Sequence, residues 1–265
     1  MITTDLRGKL CNMMFQIAAI EHMGYKAGFG SAYPHVDQNI EDLKKPQACT
    51  SEPNGEQYFN IFKNFNWHKN HDKEIKIYQT ISVPFEYIPI VPRDYTRYIG
   101  YFQSELNFPD REFILNLFEP ADYIKEKLET YKETIGENRA AIHVRRGDYI
   151  KLKHIYNVLD MTYYNAAMEV LKERGVEQYL IFSNDKEWCK ENFKGDQFIF
   201  INDDSFTELF LMGKCTHQII ANSAFSWWGA YLNDNPYRQI IAPKKWFATN
   251  KPKSSDIIPK TWLTI

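Results

Sequence analysis

The sequence predicts an α/β protein whose second half is a parallel sheet covered by helices on both faces. Three observations carry this expectation. Short apolar runs alternate with helix-like segments from Arg139 to Ala242. The helix candidates between those runs carry recognisable stops and starts. The N-terminus repeats the order strand, glycine-containing turn, helix, which is a second start of the same kind.

In chain order, Met1–Leu6 reads as a strand and Arg7–Cys11 as a turn. Asn12–His22 reads as a helix with Met13, Ile17 and Ile20 on one face. The pattern weakens from Lys26 to Trp67, where Pro34, Pro46, Pro53 and Asn54-Gly55 mark loops, and Pro84, Pro89 and Pro92 extend the irregular stretch. Tyr95–Gln103 is extended. Phe113–Leu117 and Tyr123–Thr134 read as helices that bridge two lobes. Five strands follow: Arg139–Val144, Gln178–Ser183, Gln197–Ile201, His217–Ala221 and Arg238–Ala242. Between them, Tyr163–Arg174 stops at Gly175 as helices do, Asp185–Phe193 is a shorter helix, and Ser205-Phe206-Thr207-Glu208 is a capping box opening the helix Phe206–Cys215.

At 265 residues the chain has room for one large or two small domains. Its 44% hydrophobic and 25% charged content is that of a soluble globular protein. A net charge of −2 gives no electrostatic reason to expect nucleic acid or an anionic membrane as partner, so a phosphate site must be a local cluster. Cys11, Cys49, Cys189 and Cys215 show no zinc-type spacing, and a reducing cytoplasm is the simpler inference. Cys11 to Ile20 is too polar for a signal peptide, being broken by Asn12 and Gln16.

Four segments carry candidate chemistry. His143-Val144-Arg145-Arg146-Gly147-Asp148-Tyr149 follows a buried strand, and forked guanidinium groups suit phosphate oxygens at the carboxyl end of a strand. The alternative is a surface salt-bridge cluster. Arg7–Gln16 places Gly8 before a helix N-terminus. Phe182-Ser183-Asn184-Asp185 ends another strand; Asp185 either accepts from a guanine's N1 and N2 groups or caps the next helix. Ile219–Ala230 runs from a strand into Asn222, Ser223 and Ser226 at a helix start, a set of neutral donors suited to a pyrophosphate. Trp227 and Trp228 are expected in the core.

These segments carry a resemblance. His143–Tyr149 resembles the HxRRxD motif of the α1,2-, α1,6- and protein O-fucosyltransferases, and Ile219–Leu232 is similar to the signature of the α1,2-fucosyltransferase family. Tyr101-Phe102-Gln103-Ser104-Glu105 resembles that family's G-Y-x-Q-S-E segment, and Leu10–Gln16 the end of its N-terminal glycine-rich motif. Ile241–Phe247 and Asp256–Pro259 fit its tail. The likeness is strong at Leu6–Ala19 and from Ile99 onward, and faint between Lys26 and Tyr95. The chain departs from the pattern at Lys9 and Cys11, where the family has glycines, and at Met13, where it has Gln. Lys9 either adds charge near a pyrophosphate or reaches solvent, and Cys11 restricts the φ that glycine allows.

The resemblance implies a GT-B architecture, two Rossmann-like lobes with the active site in the cleft between them. Residues 1–120 would form the acceptor-side lobe and 121–265 the donor-side lobe, with a last helix packing back on the first. It implies inverting transfer from GDP-β-L-fucose to a galactose-like glycan, with no metal or other cofactor. Arg145 would stabilise the departing GDP, with Arg146 assisting or holding the loop. Gly8, Asn12, His143, Asp185, Asn222, Ser223 and Ser226 would join Arg146 in binding the donor. His143 and Asp185 would lie near the guanine, and Asn12 would face the sugar–phosphate bond. Gln103 and Glu105 are acceptor or cleft candidates. Asp148 either takes the acceptor's proton or pairs with an arginine; Glu105 is a second base, and a phosphate oxygen or water a third. Tyr33, Tyr58, Phe59, Trp67 and His68 are aromatic candidates for sugar stacking, against the alternative that they simply pack. The activity expected is α1,2-fucosyl transfer in the making of a bacterial surface polysaccharide, by a cytoplasmic protein associating peripherally with the inner face of the membrane. Other linkages or GDP-sugars, and a catalytically dead GDP-sugar binder, are the alternatives.

Overall fold

The chain opens with β1 (Ile2–Thr3), short because the loop that follows must turn into α1 (Leu10–Ala27). The structure, a computed structural model, describes residues 1–34, 60–67, 75–249, 252–253 and 255–265. These divide into two compact units. The first runs through Ala121 and takes in Pro252–Pro259; the second begins at Asp122 and includes Lys260–Ile265.

In the first unit, α1 extends beyond the expected His22 because Met23 and Gly24 remain buried. It ends where Gly28 adopts φ +69° and Phe29 donates its N–H to Gly24 O at 2.9 Å. A Cβ on Gly24 would stand 2.9 Å from the Phe29 carbonyl oxygen, so glycine is needed there. Then come β2 (Ser31–Ala32), β3 (Gln79–Ser82), β4 (Thr96–Ile99), a 3₁₀ turn at Glu105–Asn107 and α2 (Arg111–Leu117), whose first turn is capped by Asp110 accepting from Phe113 N at 3.1 Å. The sheet order is β2-β1-β4-β3, all parallel. The Glu21 carboxylate, buried on α1, accepts from Ser31 Oγ at 2.5 Å and Tyr33 OH at 2.8 Å. Tyr33 and Trp67 are buried and pack, so neither offers a face for sugar stacking. Tyr58, Phe59, His68 and Cys49 lie outside the described residues.

The second unit starts with α3 (Asp122–Glu129) and α4 (Lys132–Ile135). The single helix expected over Tyr123–Thr134 breaks because the Tyr131 hydroxyl donates to Asp203 at 2.6 Å and Lys127 bonds both Asp203 and Asp204. These contacts fasten both helices within the second unit. The sheet then builds from β5 (Ala140–Val144), β6 (Tyr179–Ser183), β7 (Phe198–Phe200), β8 (His217–Ile219), β9 (Ile240–Ala242) and β10 (Leu263–Thr264). Its helices are α5 (Gly147–Lys151), α6 (Met161–Lys172), α7 (Lys186–Asn192), α8 (Ser205–Lys214) and α9 (Ala224–Tyr231). All five strands read from the sequence are present, each within its expected range.

Strand order β10-β9-β8-β5-β6-β7 is parallel throughout. The chain grows outward from β5 in one direction, then returns to β8 and grows the other way. That reversal between β5 and β8 is where open α/β sheets bind ligands, outside the carboxyl ends of the strands. On one face Ala140, Ile142 and Val144 pack with Tyr164, Leu171, Cys189 and Phe193. Trp227 and Trp228 are fully buried, as expected, with Trp227 stacked on Tyr231 at 4.8 Å.

Two further expectations are corrected. The cap of α8 is Asp204, not Ser205: its carboxylate accepts from Phe206 N and Thr207 N, both at 3.0 Å. Glu208 does reach back, accepting from Asp203 N at 3.0 Å. The last helix is absent among the described residues; beyond β9 the chain runs through turns into β10, because Leu263–Thr264 satisfies the open edge of β9.

Burial pushes the Glu208 carboxyl up to about 7. The folded protein therefore keeps a proton that the unfolded chain has already lost, and stability falls as pH rises from about 4.5 to 7. Glu208→Gln keeps the carbonyl acceptor for Asp203 N–H and removes the charge. The variant should melt several degrees above the parent at pH 8 and level with it at pH 4, as read by thermal denaturation. An equal gap at both pH values would contradict this reading.

Candidate active site

The carboxyl ends of β5 and β6 carry the densest charged cluster of the motif residues. Backbone pairing sets His143 opposite Phe182 and Val144 opposite Ser183, so the loops that follow leave the sheet side by side. Arg145 Nη2 donates to Asp148 Oδ2 at 2.8 Å, and the guanidinium lies over the Tyr149 ring, 5.4 Å from its centroid. Asn184 braces this loop from β6: its Oδ1 accepts from Arg146 N at 3.0 Å and its Nδ2 donates to Asp148 Oδ1 at 3.3 Å. The sequence reading had not singled out Asn184, and its position at a strand end beside Asp185 was the available signal.

The two arginines part company here. Arg146 is held inward by its Leu159 carbonyl contact at 3.3 Å, by Asp185 at 3.5 Å and by the Trp188 face at 4.2 Å. These are the contacts that the loop-holding alternative calls for. Asp185 is the cap of α7, accepting from Trp188 N at 3.3 Å, while its other oxygen faces Arg146. That geometry favours the capping alternative over guanine recognition.

His143 is buried, with its ring 5.4 Å from the Phe225 ring. Burial first, and the Arg145 charge second, push its pKa down to about 3. It is neutral at any physiological pH and supplies no cationic charge to a phosphate.

Across the reversal point, the β8 loop does not present the expected row of donors. Asn222 is fully buried and its Nδ2 donates to Asn157 O at 2.9 Å and Trp246 O at 2.6 Å. Ser226, also fully buried, donates to Ala221 O at 3.1 Å. Both side chains fasten loops, because the carbonyls that end the strands need partners once the ladder stops. Ser223 stands at the cap position of α9 without a side-chain cap bond, so its hydroxyl is not used by its own helix.

In the first unit, Gly8, Asn12 and Gln103 lie together. Gly8 has φ +78°, and a Cβ there would stand 2.5 Å from Asn12 Nδ2. Asn12 Oδ1 accepts from Gln103 Nε2 at 2.7 Å. Gln16 holds the preceding loop by pairing with both backbone groups of Arg7, at 2.8 and 3.2 Å. Glu105 follows in the 3₁₀ turn, its pKa raised by burial against the opposing pull of Arg111.

Gly147 shows how tightly the second-unit loop is built. A Cβ there would come within 2.5 Å of Asn184 Nδ2. Gly147→Ala should displace the Asn184 brace and lower turnover roughly tenfold while leaving the melting temperature nearly unchanged. Full activity in the alanine variant would show that the brace is dispensable.

A parallel sheet of this order places its arginine loop at the reversal point, where open α/β sheets bind ligands. The whole chain, residues 1–265, matches the profile of glycosyl transferase family 11, and it belongs to that family. The O-antigen biosynthesis glycosyltransferase WbnK of Escherichia coli is 34% identical over 181 residues, 63% of this chain and 59% of that one. An α1,2-colitosyltransferase of the same organism is 33% identical over 180 residues, 63% and 62% of the two chains. Human galactoside α-(1,2)-fucosyltransferase 1 is 26% identical over 182 residues, 61% and 47%. The matched regions thus span about 60% or less of these relatives' lengths. Among solved structures, POFUT1 in complex with GDP-fucose superposes with a TM-score of 0.53 at 12% identity, covering 91% of this chain and 97% of that one, and its complex with GDP gives 0.52. The fold is accordingly GT-B-like. Among the described residues no helix is long and apolar enough to cross a membrane.

Proposed function

We propose that the protein transfers a fucosyl group from GDP-β-L-fucose, with inversion, to the 2-hydroxyl of a galactose-like residue in a bacterial surface glycan. The observation that carries this reading is the Arg145–Asp148 pair at the carboxyl end of β5, at the point where the sheet order reverses. Family membership and the names of the relatives support the reaction class. The acceptor oxygen attacks the anomeric carbon as the bond to the β-phosphate breaks, and charge accumulates on the departing diphosphate. Arg145 is the group we assign to that charge; a preorganised donor of this kind is worth about 3–4 kcal/mol of barrier. Ser223 is the neutral donor retained beside it. Gly8, Asn12 and Gln103 are proposed as polar substrate contacts of the first unit.

The acceptor proton needs a base. Asp148 is engaged by Arg145 and Asn184 and acts as the orienting partner of the arginine. We assign proton acceptance to Glu105, whose carboxyl is raised from its ordinary value by burial, against the pull of Arg111. The reaction is proposed to proceed without a metal, in the cytoplasm at the inner face of the membrane.

One observation favours a second donor: the relative at 33% identity is named for colitose rather than fucose. The test is mass-spectrometric detection of transfer from a GDP-sugar panel to galactose-terminated glycans, with EDTA present. A gain of one deoxyhexose from GDP-fucose, with an α1,2 linkage by NMR, supports the reading. Transfer from another GDP-sugar alone selects the second. GDP binding without any transfer or donor hydrolysis would point to a non-catalytic binder.

A further inference from the structure

We propose that Tyr149 is a positioning residue for Arg145, locking the arginine's fork by tying the β5 loop to the β8 loop across the reversal point of the sheet. This rests on the reading that Arg145 carries the donor diphosphate.

A long arginine side chain at a loop has many rotamers, and holding one of them costs entropy that contacts with neighbours must offset. Here two neighbours do so. Asp148 fixes one end of the fork at 2.8 Å, and the Tyr149 ring lies under the guanidinium at 5.4 Å from the centroid, within the range of a cation–π contact. Asp148 alone fixes a direction; the ring fixes the plane.

The ring is itself immobilised from two sides. The Tyr149 hydroxyl donates to the Asn222 carbonyl oxygen at 3.0 Å, and the ring stacks on Tyr156 at 4.1 Å with planes 7° apart. Tyr156 in turn meets Phe247 at 5.8 Å. Asn222 is the common anchor: its carbonyl takes the tyrosine hydroxyl while its amide bonds Asn157 O and Trp246 O. Thus the β5 loop, the segment after α5 and the segment after β9 are fastened to one buried asparagine. Tyr163 makes a second tie of the same kind, its hydroxyl bridging Ile220 O at 2.7 Å and Ile241 O at 3.2 Å. Tyr149 is thus held by its hydroxyl and its ring face, and through it the Arg145 guanidinium is held to the β8 loop.

The experiment is a double-mutant cycle on GDP affinity, measured by calorimetry on the full chain with Arg145→Ala, Tyr149→Leu and Tyr149→Phe. Tyr149→Leu removes the ring and should weaken GDP binding about tenfold; Tyr149→Phe keeps the ring, loses the hydroxyl tie and should weaken it about threefold. In the Arg145→Ala background both tyrosine changes should have no further effect, because the tyrosine acts through the arginine. Additive losses in that background would overturn the inference, as would GDP affinity within twofold of the parent for Tyr149→Leu. If the leucine variant does not fold, the phenylalanine arm alone gives the same decision. Unchanged GDP affinity in Arg145→Ala would instead sink the underlying reading of the site, and any loss in Tyr149→Leu would then have to arise elsewhere, which also overturns the inference.

Discussion

Arg145→Ala should lower the rate of sugar transfer by about 10²–10³-fold without unfolding the protein. The residue lies at the end of a fully buried strand, but its own side chain is a fifth exposed and packs no core. Removing it leaves Asp148 with Asn184 as a remaining partner, so no charge is stranded in an apolar setting. What disappears is the forked cation proposed to meet the leaving group. Arg145→Lys should recover only part of the loss, because a single ammonium cannot reproduce two parallel N–H donors. Initial rates at saturating donor, taken alongside a melting curve, decide the matter. Transfer by the alanine variant within about threefold of the parent would remove Arg145 from the chemistry.

Asp148→Asn is the second large effect, expected at about 10- to 100-fold in transfer. Two readings of this carboxylate predict different patterns. As the orienting partner of Arg145, it should change GDP affinity and turnover together, since a fork released from its 2.8 Å contact no longer points in one direction. As the base, it would cost turnover while GDP binding stayed intact, and the acidic limb of the pH profile would vanish with it. We expect the first pattern. The acidic limb should instead be lost in Glu105→Gln, whose carboxyl titrates above its ordinary range in the parent.

The fold was readable in the sequence where local and global signals agreed. The runs at 140–144, 179–183 and 240–242 are buried and mostly apolar, so each reads as a block, and α6, α7 and α8 bring their own aspartate caps. The break between α3 and α4 was not readable. It depends on Tyr131 and Lys127 meeting Asp203 and Asp204, more than seventy residues away in the chain. The cap of α8 was misplaced by one residue because Asp and Ser are equally good cap residues and only the backbone turn chooses between them.

The site shows the same division. Arg145 and Asp148, neighbours in one motif, are paired in the structure, and Asn12 meets Gln103, ninety-one residues away in the chain. Asn222 and Ser226 read as ligand donors from their place at a strand end; in the structure both are buried and bonded to backbone carbonyls, partners that no local pattern gives. His143 reads as a site histidine by spacing, yet a desolvated ring beside an arginine stays neutral. Tyr149 was in plain view as the last residue of its motif. Its role needed the carbonyl of Asn222, which no local pattern places beside it.

A crystal structure of the protein with GDP decides whether Arg145 carries the diphosphate. The diphosphate should lie at the carboxyl ends of β5 and β8, with phosphate oxygens about 3 Å from the Arg145 guanidinium, and with Arg146 still turned toward Asp185 and Trp188. GDP bound away from that edge, or seated there on Arg146 while Arg145 stays clear of the phosphates, would contradict that assignment.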